Sequence, residues 1–304
     1  MPSPSLLDRI AGWPWAETAT VLFGFAWGAM LGSFLNVVAH RLPRGESLVH
    51  HRSRCPQCGA AIRATDNVPV FGWLRLRGRC RDCGAPIAAR YPLVEAGCGV
   101  LVMVLVWAEL VNGGRWLPRS ADAFPAGIDR LLRGDWQLLV ICCLHSAAVL
   151  TVVTWSLLDL DGSHPARPPA ALSIAVVLVC IAAVPEGGPG GVLPDGAEWP
   201  PGWPRGQAVA ASLAGAVAGW ALGRGHAAAG IRLGLPLLGS VLGWQLVTVV
   251  AVATAATARA ATAVGGLPKA AAGFVLAALG TLGIAVQGPL RAALAAAVRA
   301  MLAG

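Results

Sequence analysis

Two groups of residues in this 304-residue chain have types and spacings that could do chemistry. The first is a pair of Cys-x-x-Cys turns, Cys55/Cys58 and Cys80/Cys83, separated by 21 residues and each followed by Gly-Ala (Gly59-Ala60, Gly84-Ala85). Such a turn places two thiolates on one side of a knuckle, and two knuckles complete a tetrahedral four-sulfur site, which is the zinc-ribbon pattern. The glycine after the second cysteine lets the backbone turn so that its amides face the sulfurs. Four protein ligands fill the shell of a Zn2+ ion, so the metal holds the loop together and performs no reaction. Two disulfides, or four free thiols, are the alternatives. The second group is Asp159 and Asp161, which close a long apolar run. A carboxylate at a membrane boundary is costly to bury and is a functional candidate. A solvated helix end that stops a span has the same local sequence, so from these residues alone the two readings stand level. His145, near the middle of that run, could handle protons, but a neutral, hydrogen-bonded packing role is the better expectation.

The elements that must position these groups are membrane helices. The chain is 56% hydrophobic and 12% charged, with a mean hydropathy of +0.64, against about 25% charged in soluble domains. The four cysteines outside the two knuckles (Cys98, Cys142, Cys143, Cys180) lie in apolar runs and read as core. The polar island 41–92 carries ten Arg against Glu46, Asp66 and Asp82, hence +7 of the chain's net +8. Basic surface can signal nucleic acid. Between two hydrophobic runs, the bias of Lys and Arg toward the cytosolic side explains it better, so no nucleic-acid partner is expected and the bilayer is. A reduced thiolate site suits the same compartment.

The sequence predicts an all-α polytopic bundle of about seven transmembrane helices, with a cytosolic zinc-ribbon-like loop between helices 1 and 2. Residues 18–39 form an uncharged run of 22 residues, enough for a hydrocarbon core of about 30 Å. The charge follows the run, so it reads as an uncleaved first span with its N-terminus outside rather than a secretory signal. Further spans are expected at 93–111, 136–158, 170–184, 206–223, 233–258 and 270–290, with an eighth if the run 233–258 is broken. Glu95 and Glu109 lie near the ends of the second span, where water or a partner can reach them. Residues 113–135 and the Gly/Pro-rich 186–205 read as external loops, 159–168 as an internal one, and the tail with Arg291 and Arg299 as a surface helix. Glycines at every fourth position (Gly24, Gly28, Gly32; Gly215, Gly219, Gly223) make smooth stripes for close helix packing.

The order of motifs from residue 32 to 95 resembles a known family. These are Gly32-Ser33-Phe34-Leu35-Asn36-Val37-Val38, His40-Arg41-Leu42-Pro43-Arg44-Gly45, Ser53-Arg54-Cys55-Pro56-Gln57-Cys58-Gly59, Asp66-Asn67-Val68-Pro69-Val70, Arg77-Gly78-Arg79-Cys80-Arg81-Asp82-Cys83-Gly84-Ala85-Pro86-Ile87 and Arg90-Tyr91-Pro92-Leu93-Val94-Glu95. Together they are similar to the N-terminal region of bacterial type IV prepilin peptidases. The resemblance implies a multi-pass protein of the bacterial inner (plasma) membrane. Its partners would be type IV prepilins or the pseudopilins of type II secretion, whose basic leaders such enzymes cut at the cytosolic face. Many members then N-methylate the new terminus with S-adenosylmethionine. The implied division is 1–40 (lead and first helix), 41–92 (the four-cysteine zinc loop) and 93–304 (the catalytic half).

The family's peptidase is aspartic, with one Asp in an Asp-x-Asp-like stretch and the other in Gly-x-Gly-Asp-x-Lys. One carboxyl must take a proton from the attacking water while the other donates, and a shared proton drives their pKa values apart. Leu157-Leu158-Asp159-Leu160-Asp161-Gly162 resembles the first stretch, with Asp159 in the catalytic position. The family's following Pro-Asp is replaced by His164-Pro165-Ala166-Arg167, and Leu193-Pro194-Asp195 lies about one span away. The second stretch is degenerate. Leu237-Leu238-Gly239-Ser240-Val241-Leu242-Gly243-Trp244-Gln245 resembles the family's Gly-x-x-Leu-Gly-Trp-Gln helix. Counting back puts Gly230-Ile231-Arg232-Leu233 where Gly-Asp-x-Lys belongs, and no Asp or Glu follows Glu198. Three expectations follow: an enzyme with a substitute acid such as Asp161 or Glu95; a catalytically inactive homologue acting as a binding or assembly factor for pilus or secretion machinery; or a protein that keeps only methyl transfer. The missing acid favours loss or strong impairment of proteolysis.

Overall fold

The computed structural model describes residues 14–48, 53–112, 128–132, 136–162, 175–180, 204–224, 226, 229–263, 272–286, 290 and 293. Among them, regular structure is helical apart from two isolated bridges, Arg54–Ala61 and Arg79–Pro86. The helices are α1 (Pro14–Arg41), α2 (Phe71–Arg75), α3 (Arg90–Val106), α4 (Asp129–Leu132), α5 (Trp136–Leu160), α6 (Pro204–Gly223), α7 (Ala229–Ala263) and α8 (Ala272–Ala285). A π-helical turn, Trp107–Val111, extends α3. Among the described residues, three helical stretches are long and apolar enough to cross a membrane: Trp15–Arg44, Arg90–Val111 and Trp136–Leu160. Shorter apolar helices cover Ala208–Gly223, Gly230–Leu242, Leu246–Thr257 and Ala272–Ala285. The protein is an all-α, polytopic membrane protein.

Local chemistry explains where these helices begin and end. Glu17 lies in the first turn of α1 and His40 and Arg41 in its last, both complementing the helix dipole. A 3-10 turn containing Pro43 and a left-handed Gly45 (φ 65°) then end the span. Pro92 falls in the first turn of α3, where its missing N–H costs nothing. α7 continues through Pro236 as one helix to Ala263, so the run 233–258 is not divided. Of the fourth expected span, residues 175–180 are helical. Most of the two loops expected to be external, residues 163–168 and the Arg291/Arg299 tail lie outside the described residues.

The chain forms two compact units. In the first, Val21–Met103, the glycine stripe of α1 lies on α3. A Cβ on Gly28 would come 2.6 Å from the Cys98 carbonyl oxygen, and one on Gly32 would come 3.0 Å from the Glu95 Cα. In the second unit, α7 packs most extensively on α6, and also on α8 and α5. The α6 stripe is used the same way: a Cβ on Gly219 would lie 2.2 Å from the Leu235 carbonyl oxygen, and one on Gly239 of α7 would lie 2.0 Å from that of Gly215. Backbones this close gain dispersion and Cα–H···O contacts that side chains would prevent. The core around α7 is Leu235, Leu237, Leu238, Val241, Leu242 and Leu246, all 1% exposed or less. Both stripes thus serve packing within the chain.

Candidate functional site

The four cysteines of the island come together. Their Sγ atoms all lie within 4.8 Å of one another, and Cys55 Sγ is 3.9 Å from Cys83 Sγ. None is in a disulfide. Sulfurs about 2.3 Å from a shared tetrahedral zinc would stand about 3.8 Å apart, so the cluster fits one ion. The two knuckles repeat the same geometry. Cys55 N–H donates to Ala60 O (2.9 Å) and Gly59 N–H to Cys55 O (2.9 Å); Cys80 N–H donates to Ala85 O (2.8 Å) and Gly84 N–H to Cys80 O (3.0 Å). Gly59 (φ 71°) and Gly84 (φ 70°) are left-handed, which is why glycine stands at both positions.

Backbone amides face the sulfurs, though not those of the glycines themselves. Gly59 N–H is taken by a carbonyl, and the N–H groups of Cys58 and Gln57 bond the Cys55 sulfur instead, lowering its pKa to about 7. Cys83 also receives an N–H, from Ala85, which pulls its pKa down. Burial and the neighbouring Cys58, Cys80 and Cys55 thiols outweigh that and push it up to about 12. Four thiols share a volume suited to thiolates only around a cation.

Around the cluster the island is tied by charge. Asp66 accepts from Arg75 and from Arg81, at 2.5 Å each and 2.7 Å from Arg81 Nε. Arg81 foremost, with Arg75, holds the Asp66 carboxyl down at about 2. Trp73 Nε1 donates to Ile87 O (3.0 Å), linking α2 to the exit of the second knuckle. Glu95, on α3, accepts the Val70 N–H at 2.6 Å. No sequence pattern announces this anchor. Val70 has φ 64° and ψ −55°, and Phe71 N–H reaches back to Pro69 O at 2.6 Å. The backbone there makes a strained γ-turn on a β-branched residue.

The second candidate site is the end of α5. Asp159 lies in the last turn and is half-buried; Asp161 lies just beyond it, exposed, in a turn closed by left-handed Gly162 (φ 66°). Two carboxylates at a helix C-terminus oppose the dipole. The start of α7 compensates for Asp159, whose Oδ2 accepts the Gly230 N–H at 2.7 Å. Small residues permit the approach. Ser156, one turn earlier, is fully buried; a Cβ on Gly230 would lie 2.7 Å from its Oγ, and one on Gly273 of α8 2.1 Å from it. So α5, α7 and α8 meet at Ser156, and the segment counted back as the degenerate second motif lies against the candidate catalytic carboxylate. Ile231, in the place of the second Asp, is 5% exposed. It buries hydrocarbon and can move no proton. The loops carrying His164 and Asp195 lie outside the described residues.

His145 is fully buried, and its Nδ1 lies 2.5 Å from Glu109 Oε1. Glu109 is 1% exposed, so it is no solvated helix end; the π turn that carries it faces it to α5. Its Oε2 has no hydrogen-bond partner among the described residues. The pair ties α3's extension to α5.

These features define the class of the protein: a multi-pass α-helical membrane protein with a four-cysteine cluster that fits a metal ion and a helix-end carboxylate docked on the first turn of another helix. Residues 26–109 match the family model of the bacterial peptidase A24 N-terminal domain. Proteins named prepilin leader peptidase/N-methyltransferase are similar to it. The one from Myxococcus xanthus (strain DK1622) is 52% identical over 36% of this chain and 42% of its own length. Those from Pseudomonas putida (43%; 29% and 37%) and Aeromonas hydrophila (43%; 30% and 38%) match over a similar share. The matches span about two-fifths of those relatives. No solved structure matches the chain.

Proposed function

We propose that this protein works on the substrates its relatives' name implies, type IV prepilins or pseudopilins in the bacterial inner membrane, and that it binds them without efficient leader cleavage. The Asp159–Gly230 junction carries this reading. The carboxylate that would be half of an aspartic dyad sits on the backbone N–H of the residue before Ile231, where the family's second acid belongs. In an aspartic dyad one carboxyl accepts a proton from water while the other donates one, and Ile231 stands where the donor would be. Glu95 is occupied by the Val70 N–H in holding the loop. Ten arginines in the island support a cytosolic zinc loop, in which Cys55, Cys58, Cys80 and Cys83 hold the zinc. N-methylation and S-adenosylmethionine come to this chain from the relatives' name alone.

The test is a prepilin incubated with the purified protein in lipid nanodiscs. Co-purification of the prepilin with its leader intact is expected. Efficient cleavage that Asp159→Asn abolishes, and that Asp161→Asn and Glu95→Gln leave untouched, overturns the reading.

A further inference from the structure

The island hides one element that its polar composition does not announce. Between the two knuckles lies an apolar crown: Val68, Phe71 and Leu74 are 46%, 65% and 55% exposed. Exposed side chains of this size on a cytosolic loop are costly unless something apolar covers them.

The depth at which this crown is held says what covers it. Val70 N–H is fixed to Glu95, five residues inside α3 from its charged start at Arg90, or about 7 Å along the axis. The same level on α1 is marked by Gly32, against Glu95, nine residues before the helix ends at Arg41, or about 13 Å. The crown is therefore tethered to a residue that lies on the apolar side of both charged helix ends. Exposed Leu93 (70%) and Phe34 (46%) lie between that level and those ends. The γ-turn at Val70 costs backbone strain and persists because Glu95 and the Pro69 carbonyl both fix it. Its effect is to turn the chain back toward its own knuckles directly after reaching the span. Flanking the crown in sequence, Arg63 and Arg77 are exposed, in an island of net +7.

We propose that residues 68–74 form a lipid-embedded wedge. Phe71 and Leu74 sit at the boundary of headgroups and acyl chains, and Arg63 and Arg77 bind anionic phospholipid headgroups above them. Apolar side chains flanked by arginine are the pattern of an interfacial anchor, and anionic lipid is the charge complement of this surface. The loop would then be seated in the membrane surface rather than free in the cytosol, which fixes the height of the metal cluster above the bilayer.

The test uses full-length protein in nanodiscs of phosphatidylcholine with increasing phosphatidylglycerol. The photocrosslinking residue p-benzoylphenylalanine replaces Phe71, Leu74 or, as a control on the second knuckle, Asp82. Bound zinc checks that each variant is folded. Phospholipid adducts at positions 71 and 74, several-fold above position 82, are expected. Their yield should rise with phosphatidylglycerol, and Arg63→Gln with Arg77→Gln should flatten the rise. Equal adducts at all three positions, no lipid adduct at 71 and 74, or adducts there only with an added prepilin or a second copy of this chain overturn the wedge. A yield indifferent to phosphatidylglycerol overturns the role of the two arginines.

Discussion

Replacing Asp159 with alanine separates a docking role from a catalytic one. The carboxylate accepts the N–H of Gly230, at the first turn of α7. A hydrogen bond to a charged group contributes about 1.5–3 kcal/mol net, and the half-exposed position puts Asp159 in the lower half of that range. Removing the charge also relieves its repulsion with the C-terminal end of α5, about 0.3–1 kcal/mol in the opposite direction. The docking term wins, leaving Asp159→Ala about 1 kcal/mol less stable, a fall of about 2–4 °C in midpoint for a unit of this size. Asp159→Asn keeps an oxygen to accept the N–H and should lose about half as much. Thermal unfolding in mild detergent, followed by far-UV circular dichroism, measures both. An alanine variant as stable as the parent, or less affected than the asparagine variant, refutes the docking argument and returns Asp159 to a purely chemical role.

Four further outcomes are expected. Metal analysis of reduced, metal-replete protein should return about one zinc per chain, and Cys55→Ser or Cys83→Ser should abolish it. In chelator-treated protein, Cys55, with its pKa lowered to about 7, should alkylate with a midpoint near that pH, and Cys83, raised to about 12, should resist through pH 9; mass spectrometry of labelled peptides reads both. Gly28→Ala should destabilise the first unit by about 1–3 kcal/mol through overpacking, because its Cβ would come 2.6 Å from the Cys98 carbonyl oxygen, whereas Gly97→Ala, with nothing within 4 Å, should be tolerated. Ile231→Asp alone should not restore prepilin cleavage, since Leu233 still stands in the place of the family's lysine.

Much of this architecture was legible in the sequence because hydropathy and spacing are local signals. The uncharged run 18–39 became α1, 136–158 became most of α5, and the knuckle glycines took the left-handed φ that their position after Cys-x-x-Cys demands. What could not be read is tertiary. Nothing in Val70 announces a γ-turn, because the strain is held by Glu95, 25 residues away. Glu109 sits two residues from the end of its expected span, and end position suggests water; only the π turn and His145, 36 residues on, make it an interior group. Gly230 was identified through its neighbours, but its backbone N–H as the partner of Asp159 is a contact across 71 residues that no pattern encodes.

The repeated knuckle has a consequence for how the metal is gained and lost. Each hook is closed by its own pair of backbone hydrogen bonds and its own glycine, so a bound ion would join two turns of the same shape. Stripping the cation would part those two turns, of which Trp73 holds the exit of the second to α2. Reloading such a site would bring both turns back onto one ion, and the strap between them would regain the ion's share of its folding energy.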